Sequence, residues 1–257
     1  MRFRPCIDIH GGKVKQIVGG TLSDKRGDGA LITNFETDQS PAYFASMYKK
    51  ENLRGGHVIM LGPGNEGAAI EALSAWAGGM HVGGGINPAN AKRFLDAGAS
   101  HVIVTSYVFC DGMIRWERLD ELLEAVPKER LVLDLSCRVS DGDYVVVTDR
   151  WQKLTKEKLS EQLLTRLSTY CDEFLVHAAD VEGLKRGVDQ TLIQLLADAS
   201  PIQAVYAGGV RDLGDMDVIE LIGGGRIDAT VGSSLDIFGG PLRFADVVAW
   251  HRERNAD

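Results

Sequence analysis

Cysteine is scarce in this chain of 257 residues, and its four copies, Cys6, Cys110, Cys137 and Cys171, form no C-x-x-C pair. Their wide spacing suits neither a zinc knuckle nor a disulfide framework, so they read as reduced thiols in a reducing compartment. Six histidines supply no H-x-H and no H-E-x-x-H pattern, and no metal site is expected. No run of about 20 apolar residues is present, which argues against a membrane-spanning helix. Positive charge is also short: 28 Lys and Arg against 36 Asp and Glu leave a formal charge of −8. Without a dense basic run, neither a nucleic acid nor a membrane surface is an expected partner. An anionic small molecule stays open, provided backbone N–H groups hold it locally. The first strand starts within a few residues of Met1, leaving no room for a signal or transit peptide in the given sequence. A cytoplasmic protein is therefore expected, although a processed plastid protein would read the same way.

What is present is a core-forming content of 44% hydrophobic residues over a length that suits one α/β barrel. Apolar, β-branched runs alternate with helical patterns eight times, the signature of βα units and a parallel sheet. After the strand through Ile9 comes a Gly-, Asp- and Thr-rich stretch, Gly19 to Gln39, long enough to read as a lid. Expected strands follow at His57 to Leu61, His81-Val82, His101 to Val104, Leu131 to Leu135, Phe174 to Val176, Ile202 to Tyr206 and Ala229 to Val231. Between them the spacing predicts helices over Pro41 to Leu53, Glu66 to Trp76, Ala89 to Ala97, Arg115 to Ala125, Lys156 to Tyr170, Gln190 to Asp198, Asp215 to Ile222 and Phe244 to Arg252. The Asp141-Gly142-Asp143 turn before Tyr144 to Val147 suggests a hairpin over the barrel mouth. The expected fold is a single (βα)8 barrel domain, residues 1–257, built from two duplicated half-barrels.

The duplication rests on three spacings. Asp8 and Asp134 lie 126 residues apart, Gly85 and Gly209 lie 124 apart, and Thr105 and Gly232 lie 127 apart. Asp8 shares a strand face with Cys6 and His10 and sits where the strand meets Gly11-Gly12, the end at which barrel enzymes carry their chemistry. Taken alone, such an aspartate could equally cap a turn. Its repetition at Asp134 places two acids on opposite sides of one mouth. Gly84 and Gly85, and Gly208 and Gly209, each join a strand to a helix, where absent Cβ atoms let N–H groups approach an oxyanion. Thr105-Ser106 and Gly232-Ser233 each precede an expected helical turn, whose N-terminus favours anions. Ordinary βα turns would explain either corner singly. Two corners imply a small-molecule ligand with a phosphate at each end.

These residues, with Val14-Lys15-Gln16-Ile17-Val18-Gly19-Gly20, Asp134-Leu135-Ser136-Cys137-Arg138, Trp151-Gln152, His177 to Gly183 and Ala207 to Val210, carry a resemblance. Over essentially its whole length the chain resembles the phosphoribosylformimino-aminoimidazole carboxamide ribotide isomerase family of histidine biosynthesis, in its eukaryotic-type branch. The resemblance implies an Amadori rearrangement of an aminoaldose bisphosphate with no cofactor; a monomer is the expected form. One acid would open the ribose ring and one base would take the proton from C2. By resemblance Asp8 is the base and Asp134 the acid, while the residues themselves allow either order.

Bacterial relatives carry threonine at the position of His177 and Asp-Gly in place of Glu182-Gly183. His177 is then an orienter, a proton partner or a satisfied structural histidine, and Glu182 a loop-fixing acid or a substrate contact. Trp151 either stacks on a heterocycle or buries the hairpin, and Arg138 either contacts substrate or pairs with an acid. The alternatives are the sister cyclase of the same pathway, a lyase, and a non-catalytic bisphosphate-binding barrel. Activity on phosphoribosylanthranilate is a third use the residues permit.

Overall fold

A computed structural model of the chain describes residues 1–17, 33–148, 151, 153–181 and 186–256. Eight short strands form where apolar residues crowd between turn signals: β1 Phe3–His10, β2 Gly56–Met60, β3 Met80–Gly83 and β4 His101–Val104 in the first half. In the second half they are β5 Leu131–Asp134, β6 Glu173–His177, β7 Gln203–Ala207 and β8 Ile227–Val231. Each runs parallel to the next, and β8 pairs with β1, Phe3 opposite Ala229 and Pro5 opposite Val231, so the sheet closes into a barrel. The eight connecting helices are α1 Pro41–Lys50, α2 Glu66–Ala75, α3 Pro88–Asp96, α4 Trp116–Ala125, α5 Glu161–Leu167, α6 Gln190–Ala199, α7 Leu213–Gly223 and α8 Phe244–Arg254. Side chains of Ser40, Asn87, Ser160, Asp189 and Asp212 accept the orphan N–H groups at five helix starts. Each such cap is worth about 1 kcal/mol.

Alternation along the strands sorts the core into two layers. Phe3, Ile7, Ile9, Val82, Leu133 and Phe174 face outward and are buried beneath the helices, Phe3 with its ring edge against Phe244 at 6.3 Å. Ile103, Val132, Leu175, Val205 and Ala207, with Ile59, fill the barrel interior. Below them lies an ionic layer that hydrophobic patterning gives no hint of. Arg4 reaches across from β1 to Glu173 on β6 at 2.9 Å and Asp228 on β8 at 2.7 Å, with His81 3.5 Å from Glu173. The Arg4–Glu173 pair is uneven. Burial lowers Arg4, but Glu173 and Asp228 outweigh it and leave the guanidinium raised. On Glu173 burial outweighs what Arg4 returns, and the carboxyl is pushed up to about 7.

Two expected elements differ. The helix expected over Lys156 to Tyr170 begins late, because Lys153–Lys158 is a strand and α5 covers only Glu161–Leu167. Its Leu-Thr-Lys-Glu run alternates, burying Thr155 against the hairpin while Leu154 stays exposed, and tertiary pairing overrides helical propensity. The expected hairpin is therefore three-stranded: Cys137–Ser140, Asp143–Thr148 and Lys153–Lys158. In the expected lid, Thr33–Thr37 is a strand antiparallel to Lys13–Ile17, with Phe35 5.7 Å from the Phe238 ring. Residues 19–32 of that stretch lie outside the described residues. A further small hairpin joins Phe109–Cys110 to Met113–Ile114. Among the described residues no helix is long and apolar enough to cross a membrane.

Candidate active site

The C-terminal ends of the strands surround a cavity of about 610 Å³. Inward alternation on β1 carries Arg4 to the barrel bottom, Cys6 to the cavity wall and Asp8 to the mouth. The same alternation on β5 and β6 brings Asp134 and His177 into that cavity, so the two acids share one chamber. Its floor holds His57, Ile59, Ile103 and Ala207. Burial, with the charge of His177 adding, lowers His57 to about 3, so a neutral imidazole lies 6.1 Å from the His177 ring.

The two acids have different neighbours. Asp8 accepts a hydrogen bond from the Gln16 amide at 3.1 Å, delivered by the strand Lys13–Ile17. Asp134 accepts from the Ser136 N–H at 2.8 Å and from the Ser136 hydroxyl. That hydroxyl is 3.1 Å from His177 Nδ1, which in turn lies 3.9 Å from the Asp134 carboxylate. Burial raises Asp134, yet the His177 and Ser136 interactions outweigh it and hold the carboxyl below its ordinary value. Asp134 is thus a carboxylate at neutral pH, with the His177 imidazole as its close neighbour.

Trp151 lines the cavity 5.3 Å from His177. Its φ of +66° is a left-handed conformation that a bulky residue adopts at a cost on the order of 1 kcal/mol, strain of a kind that clusters at functional sites. Both glycine corners open on the cavity, and their bends match: Gly84 and Gly208 have φ +97° and +127°, Gly85 and Gly209 +70° and +74°. A Cβ on Gly84 would stand 2.2 Å from the Met60 carbonyl, and one on Gly209 2.2 Å from that of Gly187. Thr105, Ser106, Gly232 and Ser233 line the same space.

Arg138 is absent from the lining among the described residues, and its Nε lies 3.5 Å from the Asp180 carboxylate. His10 likewise stays out, opposite Lys13 at the β1 turn. Glu182 lies outside the described residues. Patterning alone missed Gln16, Ser136 and His57. For Gln16 a signal existed: it shares a buried strand face with Val14, and an amide on such a face wants a polar partner.

A closed (βα)8 barrel whose C-terminal mouth joins two carboxylates, an imidazole and paired glycine corners has the makings of a barrel enzyme. The family model for "Histidine biosynthesis protein" matches residues 2–238. The chain is 54% identical to the chloroplastic 1-(5-phosphoribosyl)-5-((5-phosphoribosylamino)methylideneamino) imidazole-4-carboxamide isomerase of Medicago truncatula, across 99% of this chain and 83% of that protein. It is 48% identical to the isomerase of the same name from Neurospora crassa, over 98% and 99% of the two chains. With that of Saccharomyces cerevisiae it shares 44%, over 98% and 99%. The chain belongs to the histidine biosynthesis protein family.

Proposed function

We propose that this chain is the aldose–ketose isomerase of histidine biosynthesis, converting phosphoribosylformimino-5-aminoimidazole carboxamide ribonucleotide into its phosphoribulosyl isomer. The observation that carries the reading is the meeting of Asp8, Asp134 and both glycine corners in one cavity. A substrate phosphate sits at each corner: one against Gly84, Gly85, Thr105 and Ser106, the other against Gly208, Gly209, Gly232 and Ser233. The ribose then spans the acids. The pair formed by Asp134 and His177, bridged by Ser136, protonates the ring oxygen and opens the sugar to an imine. Asp8 takes the proton from C2, leaving an enol whose return of a proton to C1 gives the aminoketose. The enol hydroxyl gives up its proton as C2 becomes the ketone, which restores the one lent to the ring oxygen, so the net change is an isomerisation that calls for no outside oxidant or reductant. Trp151 stacks on the imidazole carboxamide.

The names of the relatives favour this reading over the ammonia-using cyclase. The reading takes the chain as one barrel domain working as a monomer in the cytoplasm. The test is turnover of the aminoaldose by wild type, Asp8→Asn and Asp134→Asn. Each variant should lose about 10²- to 10⁴-fold in kcat. Wild-type protein that cyclises the aminoketose with ammonia but leaves the aminoaldose untouched would overturn the proposal, as would full turnover by either variant.

A further inference from the structure

Gln16 is 4% exposed, and its amide lies among three features of the site. Nε2 is 3.1 Å from Asp8 Oδ2 and 3.8 Å from the Cys6 sulfur. Oε1 is turned toward Gly232, where a Cβ would stand 2.7 Å from it. The orientation of the amide follows from charge: a carboxylate only accepts, so the NH2 end must face Asp8. Were Asp8 the proton donor of the pair, the amide would be turned about, with its oxygen toward the acid. Gln16 itself cannot wander, because Lys13–Ile17 is pinned between β1 and Thr33–Thr37, with Gln16 opposite Phe35.

We infer that Gln16 is a positioning residue for Asp8: its amide holds that carboxylate aimed and ionised, and transmits to it the shape of the backbone at Gly232. The inference rests on Asp8 being the base in the proposed reaction. It goes further by separating the two acids, since one has an amide whose N–H faces it and favours its negative charge, and the other lies beside an imidazole that can carry a proton. It also gives Gly232 a reason to lack a side chain. A methyl group there would displace the Gln16 amide, and the damage would travel to Asp8.

Among the described residues the titratable groups around Asp8 are Cys6 and His10 on its own strand, Tyr48 on α1, His57 on β2, Glu66 at the head of α2, and Asp134 and His177 across the cavity. None of these is altered by substitution at Gln16, so a moved pH profile reports the lost or changed amide. A donor N–H favours the charged form of a carboxylate, and a second carboxylate disfavours it.

The experiment follows kcat, KM and the acidic limb of the kcat/KM profile in wild type, Gln16→Met, Gln16→Glu and Gly232→Ala, with folding checked by circular dichroism. Gln16→Met should lower kcat roughly 10- to 100-fold with KM within about threefold, and move the acidic limb upward by about one pH unit. Gln16→Glu should move the limb further in the same direction. Gly232→Ala should raise KM and also shift the limb upward, and it should add no further limb shift on a Gln16→Met background. Folded Gln16→Met and Gln16→Glu proteins with the wild-type limb would overturn the inference. If Gln16→Met does not fold, the near-isosteric Gln16→Glu decides alone. Asp8→Asn separates the two levels: full turnover there sinks the proposed base, whereas its loss beside unshifted Gln16 variants sinks only the role of Gln16.

Discussion

Replacing Arg4 by Met should destabilise the barrel by an amount that depends on pH. Arg4 donates to Asp228 at 2.7 Å and to Glu173 at 2.9 Å, all three side chains being nearly inaccessible. Asp228 keeps a partner in the variant, since the Arg2 N–H and Nε reach it at 2.7 and 3.0 Å. The damage therefore falls on Glu173, left with His81 at 3.5 Å. Glu173 can limit it by staying protonated. Its folded value, about 7 with Arg4 present, already exceeds the ordinary 4.5, and loss of the cation lifts it further. Below pH 7 both proteins carry the proton when folded, and the penalty is about 1–3 kcal/mol for lost charged hydrogen bonds. Above pH 7 the wild type releases the proton, while the folded variant retains it and its unfolded chain does not. The variant then loses stability relative to wild type by about 1.4 kcal/mol per pH unit, reaching about 3–5 kcal/mol by pH 8 to 9. Urea unfolding of both proteins at pH 6, 7, 8 and 9 measures this. A penalty that stays flat from pH 6 to 9 would refute the reasoning.

His57 should govern part of the acid branch. Its folded value of about 3 lies below the ordinary 6.5, so its contribution is complete above pH 6.5 and lost as pH falls toward 3. His57→Phe should flatten stability between pH 6.5 and 4.5, and an unchanged slope there would tell against it. Gly209→Ala, which forces a Cβ to 2.2 Å from the Gly187 carbonyl at φ +74°, should cost more than about 1 kcal/mol and raise KM far more than it lowers kcat. Trp151→Gly should raise KM while leaving thermal stability equal or slightly higher, because it removes the cost of a Cβ at positive φ. With Cys6, Cys137 and Cys171 buried, a thiol reagent should modify Cys110 first in the native protein, as mass spectrometry of peptides would show.

The barrel was legible from the alternation of apolar runs with helix patterns, because each strand and most helices carry their own periodicity. The helix expected at Lys156 failed where sequence is least decisive: a run of lysines and threonine suits either state, and pairing with Asp143–Thr148 settled it. The Asp111-Gly112 hairpin carried a turn signal, with φ +54° and +73°, that went unread. At the mouth, residues tied to a strand end or a glycine corner were visible, since their position follows from local pattern. Ser136 and the Arg4 layer were not, because their partners lie 41 and 169 positions away and only folding brings them together.

Both glycine corners turn through positive φ in the same order, and that likeness bears on how a ligand enters. A guest with an anionic group at each end meets a receptor without a clear head or tail, and it can enter the right way round or reversed. The sense of entry is then decided in the middle of the chamber, where the amide beside Asp8 and the imidazole and indole on the far side break the symmetry. Under the proposed function, a palindromic bisphosphate of matching span would fit in either direction. It would gain a statistical factor of about two in its association constant that a lopsided ligand forgoes in exchange for a single orientation.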